Sequence, residues 1–253
     1  MTQAPWPPPS VEYEPKRSLL SILLLWVGCY LTAVVLSVAV MSISGTSGTS
    51  GTSGTSSDAA TDSPTTWVFA LSALGLWLPF VFMLRWVARR AGTDFRQYFG
   101  VRFATTDWLG IPLGIFCQVV LMNVVNWPLN KWFPDTFNPQ RIETRARDMV
   151  DAAHGAWFIV LFVVVVVGAP LVEELVYRGF IQGGLQSRIG STWALIITAA
   201  WFTVVHLEPI EFPGLFAFAL VLGFCYRRTQ RVGLSMVTHL AFNATGLLLV
   251  ALS

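Results

Sequence analysis

Residues 157–180 read WFIVLFVVVVVGAPLVEELVYRGF. Up to Val167 the run is apolar without a break, Gly168-Ala169-Pro170 punctuates it, and beyond lie Glu173, Glu174 and Arg178. Such a run can sit in lipid unchanged, and the ~30 Å hydrocarbon core of a bilayer needs about 20 mainly apolar residues per helix. The segment extends from about 155 to 188, and comparable windows recur near 18–43, 67–88, 107–127, 192–206, 212–226 and 232–252. The chain of 253 residues is 54% hydrophobic and 12% charged, against about a quarter charged in ordinary soluble domains. This density of windows argues against a soluble bundle of buried helices. We expect an all-α, polytopic transmembrane helix bundle of seven spans. A split of 155–188, or a half-span hidden in 128–154, would make eight.

A net charge of +2, with no basic cluster interleaved with stacking aromatics, gives no reason to expect a nucleic-acid partner. The cations read instead as topology signals. Lys16 and Arg17 precede the first span, Arg89, Arg90, Arg96 and Arg102 follow the second, and RRTQR carries Arg227, Arg228 and Arg231. By the positive-inside rule all three sites are cytoplasmic, which places the C-terminus outside for seven spans. The loop 127–154 carries Lys131, Arg141, Arg145 and Arg147 on the nominally external side, balanced by Asp135, Glu143 and Asp148. Residues 1–17, with PWPPPS, lack the features of a secretory signal and are expected to form a disordered cytoplasmic tail. Residues 18–154 hold the N-terminal spans. The segment 44–66, with GTSGTSGTSGTS at 45–56, has no side chains to build a core and is expected to be a flexible external loop. Cys29, Cys117 and Cys225 sit in apolar windows without metal or redox spacing and read as packing residues.

Ionisable groups inside a span cost ~2.5–3.5 kcal/mol each on insertion scales and are functional candidates by default. They are Glu173, Glu174 and Arg178 on the fourth span, His206 at the end of the fifth, and His239 with Asn243 in the seventh. Residues four apart share a helix face. Glu174 can therefore pair with Arg178, which leaves Glu173 free to point into a cavity with Tyr177 one turn below it. Phe202 would pack beneath His206, and His239 and Asn243 share one face. Counted from the cytoplasmic surface at 1.5 Å per residue, Glu173 lies at ~18 Å, His206 at ~22 Å, and His239 and Asn243 at ~15 and ~21 Å. Three helices thus bring a carboxylate, two imidazoles and an amide to one level. Taken singly, a Glu–Arg pair can be a structural clamp and a membrane histidine an interhelical hydrogen-bond donor. A proton relay in a transporter is a third reading, although the internal repeats common in transporters are not visible here.

EELVYR (Glu173 to Arg178), FTVVH (Phe202 to His206) and HLAFN (His239 to Asn243) resemble, in order, the EExxxR, FxxxH and HxxxN motifs of the CPBP family. This family, also called Abi or CAAX-protease-like, comprises intramembrane endopeptidases. The Ala169-Pro170 dipeptide, the Arg-Gly after the first motif and the small-residue-rich helix that follows are also similar. The likeness covers about 155–250. It implies that residues 155–253 form a catalytic transmembrane domain acting on membrane-associated peptides or proteins within the lipid bilayer. On this resemblance Glu173 and His206 activate a water while His239 and Asn243 stabilise the oxyanion. Glu174, Arg178, Phe202 and Tyr177 would give structural support.

Water needs a base within hydrogen-bond reach, and a donor to the oxyanion is typically worth ~2.7–4 kcal/mol. No cofactor is favoured. Zinc remains possible, with Glu173, His206 and His239 as ligands, since a carboxylate and two histidines form a hydrolytic zinc set; the lack of HExxH weighs against it. Family members include the endopeptidase of prenylated CAAX proteins and bacterial proteins of bacteriocin processing or immunity. The expectation is an integral membrane protein of a bacterial plasma (cytoplasmic) membrane. The alternative is a non-catalytic scaffold or immunity protein that keeps the motif residues structurally.

Overall fold

The computed structural model describes residues 18–44 and 66–253. The tail expected at 1–17 and the body of the GTS-repeat loop lie outside these residues. The described chain is all helix, without a strand. Its main elements are α1 (Leu19–Ile43), α2 (Thr66–Arg90), α3 (Thr105–Trp132), α4 (Pro139–Asp151), α5 (Ala156–Ile189), α6 (Ser191–Val204), α7 (Phe212–Thr229) and α8 (Gly233–Leu252). Five of these, α1, α2, α3, α5 and α8, are long and apolar enough to cross a membrane.

The two remaining expected spans are less simple. α6 has 14 residues, about 21 Å of helix, short of the ~30 Å hydrocarbon core. Beyond its end lie the left-handed Leu207 (φ 57°) and Glu208-Pro209, and a residue before proline is steered away from helical backbone. α7 has 18 residues and ends in Arg227 and Arg228. α4, at the place where a half-span could have hidden, carries Arg141, Glu143, Arg145, Arg147, Asp148 and Asp151, too polar a sequence for a span.

α1 shows what solvent the fold is built for. Ile22, Trp26 and Ala33 are buried, yet the opposite stripe of Leu20, Leu24, Leu31 and Val35 is also apolar and exposed. A helix apolar on all sides, with one side outside the core, belongs in hydrocarbon. The protein is an integral membrane protein.

Side-chain contacts identify which helix termini share an end. Ile22, at the start of α1, fills the space above Gly184 near the end of α5. The Gly100 carbonyl, between α2 and α3, accepts the Val232 N–H before α8 at 3.0 Å, and Arg231 binds Asp107. This end therefore carries Arg89, Arg90, Arg96, Arg102, Arg188, Arg227, Arg228 and Arg231. At the other end Thr66 donates to the Ala152 carbonyl (3.1 Å) and Arg147 to Ser253 (2.9 Å).

α8 is held against α3 by a close crossing. A methyl group on Gly114 would lie 2.7 Å from Ala241 Cβ and 2.8 Å from the Phe242 nitrogen, so only glycine allows the backbones so near. This contact fixes α8 beside His239. The largest core cluster joins α1, α2, α5 and α6 through Trp26, Phe80, Tyr177, Phe180 and Phe202.

Candidate active site

α5 is wound unevenly. Residues 163–168 and 174–182 form π-helical turns, with i→i+5 hydrogen bonds that widen the helix and often occur at functional sites. Glu174 and Arg178 lie on one face of the second widened stretch, both fully buried, with Arg178 Nη1 3.1 Å from Glu174 Oε1. Arg178 Nη2 donates to the Ala219 carbonyl of α7 at 3.3 Å. Its guanidinium also lies over the Phe202 ring of α6, 4.9 Å from the centroid. One arginine thereby ties α5 to both neighbouring helices.

Glu174 has a second partner that the sequence does not reveal. His239 Nδ1 of α8 lies 2.9 Å from the same Oε1. A carboxylate beside Arg178 is an acceptor, so Nδ1 carries the hydrogen and donates it, and Nε2 points the other way. There it meets Glu173, whose Oε2 is 3.8 Å distant. The adjacent glutamates therefore address opposite nitrogens of one imidazole. Glu174 is sealed in the core, whereas Glu173 is 27% exposed.

Asn243, one turn beyond His239, donates from Nδ2 to the Val165 carbonyl of α5 at 2.8 Å. The need for that bond can be traced through the backbone. The Ala169 N–H reaches back to the Val164 carbonyl in the π pattern. The next donor in the series would be residue 170, which is proline and has no N–H. The Val165 carbonyl is thus left without its ladder partner, and a part-buried carbonyl away from water needs one. Asn243 supplies it and keeps a second N–H on the same nitrogen.

His206 follows the last turn of α6, and its Nδ1 lies 2.6 Å from the Phe202 carbonyl. A carbonyl can only accept, so Nδ1 is the donor and Nε2 of the neutral ring is an acceptor. Glu173 and His206 line one cavity of about 280 Å³, together with apolar side chains from α1, α2 and α5. Tyr177 lines it too, packed edge-on against Phe202 with 5.1 Å between ring centroids. Phe202 also approaches the His206 and His239 rings, at 4.7 and 6.0 Å. The structure thus joins Glu173 to His206 through the cavity and to His239 directly. Asn243 sits on the His239 face but reaches α5 through the Val165 carbonyl, whereas His239 reaches it through the two glutamates.

Among the described residues no three His, Cys, Asp or Glu side chains are grouped so as to hold a metal ion. Glu173, His206 and His239, the set considered for zinc, do not form a ligand cluster as arranged.

Residues 155–245 match the family described as type II CAAX prenyl endopeptidase Rce1-like. Over 74 residues the chain is 28% identical to a Bacillus subtilis (strain 168) protein named "Putative membrane peptidase YdiL". The match spans 29% of this chain and 30% of that protein, under a third of its length. No solved structure matches.

Proposed function

We propose, from the premise that residues 155–245 belong to the CPBP family through its Rce1-like branch, that this protein is an intramembrane endopeptidase. It hydrolyses peptide bonds of membrane-associated proteins or peptides. The observation that carries the proposal is the divided environment of the two glutamates. Glu174 is buried and spent on Arg178 and His239, while Glu173 faces a cavity beside His206.

In this reading Glu173 takes a proton from a water that His206 Nε2 helps to orient, and the water oxygen attacks the peptide carbonyl. The carbonyl π electrons move to oxygen. The oxyanion receives hydrogen bonds from the second N–H of Asn243 Nδ2 and from His239 Nε2. Because Nδ1 is already committed to Glu174, His239 donates from Nε2 only as imidazolium. On collapse the C–N bond breaks and the proton held by Glu173 passes to the leaving amine.

The arginine-rich end is proposed as the cytoplasmic one, in the plasma membrane of a bacterium. With α6 and α7 counted as crossings beside the five long helices, the bundle has seven spans. The test is purified protein in liposomes with a membrane-anchored peptide library, compared with Glu173→Gln. Cleavage by the wild type and none by the variant is expected. Equal peptide ends in both would overturn the enzyme in favour of a scaffold.

A further inference from the structure

Trp77 of α2 lines the cavity beside Glu173. The indole is seated on Gly168 of α5, where an added Cβ would lie 2.5 Å from Cζ3, inside the ring's van der Waals surface. Gly168 precedes Glu173 by five residues, about 7.5 Å along a helix axis. The cavity volume of about 280 Å³ falls just below the ~300–1,000 Å³ of sites that enclose a drug-sized ligand. Besides Glu173 and His206, the wall is aliphatic and aromatic, with Leu76, Phe80, Val172 and Val176 among its members. A space of this size and lining suits one hydrocarbon group attached next to the reacting carbonyl.

We infer that Trp77, seated on Gly168, is a specificity-determining residue that limits the length of the aliphatic side chain a substrate can place beside its scissile bond. The inference rests on the endopeptidase reading and adds the substrate class that the site selects. Trp77 lines the space at the level of Gly168, about 7.5 Å along α5 from Glu173. A chain that reaches past the level of Gly168 must displace an indole that has no room to retreat, because Gly168 already lies against it. The missing Cβ at 168 is what allows the ring to lie so far back. A methyl group there would drive the indole into the cavity and shorten it.

The test uses liposome-reconstituted protein and three otherwise identical membrane-anchored peptides with alanine, leucine or 2-aminodecanoate at the flanking position. Wild type is expected to cleave the leucine peptide at least about tenfold more efficiently than the long-chain one, the scale on which hydrophobic pockets discriminate by size. Trp77→Ala and the milder Trp77→Leu should move the ratio of kcat/KM for long chain to leucine upward by about tenfold. Gly168→Ala should move the leucine-to-alanine ratio downward, and that effect should vanish in the Trp77→Ala background, since the methyl group then meets open space.

Ratios unchanged in both Trp77 variants while the wild type cleaves would overturn the inference and leave the endopeptidase reading standing. A Gly168→Ala effect that persists without the indole would also overturn it. No cleavage of any of the three peptides by wild type, with Glu173→Gln indistinguishable from it, would sink both.

Discussion

Glu174 Oε1 lies 2.9 Å from His239 Nδ1 and 3.1 Å from Arg178 Nη1, so one buried carboxylate oxygen both neutralises a cation and orients an imidazole. These roles can be separated. Glu174→Ala leaves Arg178 buried and unpaired, and breaking such a pair typically costs ~3–5 kcal/mol. A large loss of folded yield is expected. Replacing both partners, as Glu174→Leu with Arg178→Met, removes the stranded charge and should recover most of the thermal stability in detergent. It should not recover turnover, because His239 loses its orienting acceptor. A double variant as active as wild type would reduce Glu174 to a clamp.

The bond from Asn243 to Val165 leads to a compensation experiment. Asn243→Ala strands a carbonyl whose ladder donor is missing at Pro170, at a typical cost of ~1–3 kcal/mol. Adding Pro170→Ala restores an N–H at the position that can serve this carbonyl. Thermal denaturation should show the second substitution raising the stability of Asn243→Ala, while on the proposed mechanism cleavage stays lost for want of the Asn243 donor. If Pro170→Ala gives no more stability in that background than in wild type, Asn243 is not standing in for the missing backbone donor.

The candidate site was legible in the sequence where helix spacing decides contact. Glu174 and Arg178 meet because residues four apart share a face, and the level at which His206 and His239 join them follows from rise per residue. What stayed hidden depends on pairing between helices or on local winding. An unbroken run such as FVVVVV has no period to distinguish α from π turns, so the orphan carbonyl of Val165 could not be foreseen, although Pro170 is a visible hint that some carbonyl nearby lacks a donor. His239 as the second partner of Glu174 is 65 residues distant, and only the crossing of α8 and α5 brings them together. The apolar window at 192–206 looks like a full span in composition, but Glu208-Pro209 and the left-handed Leu207 (φ 57°) end the helix early.

Gly114 offers a way to disturb the site from outside it. Its Cα faces Thr238, Ala241 and Phe242 on α8, on either side of His239 in sequence. Gly114→Val should force α8 away from α3 at an overpacking cost of about 1–3 kcal/mol. Cleavage should fall by more than the loss of folded protein explains, since His239 and Asn243 move with α8 while Glu173 stays on α5. Specific activity per folded molecule, measured after size-exclusion of the folded fraction, checks this. An unchanged value would mean that the crossing supports stability alone.

The arrangement of the proposed water-activating groups sets the expected response to metal removal. Glu173 approaches His239 Nε2 at 3.8 Å and shares the cavity with His206, but the described side chains form no three-ligand metal group. A zinc hydrolase depends on the ion to bring the pKa of its bound water to ~7 and loses its nucleophile when the ion is removed. In the proposed mechanism the base is the Glu173 side chain. Protein purified through exhaustive chelation, with metal content measured by plasma mass spectrometry, should cleave at the rate of untreated protein, and added zinc should not increase that rate. Activity that disappears on chelation and returns with one zinc per chain would show that Glu173, His206 and His239 close into a ligand set in the working enzyme. Asn243 would then be the donor left for the oxyanion.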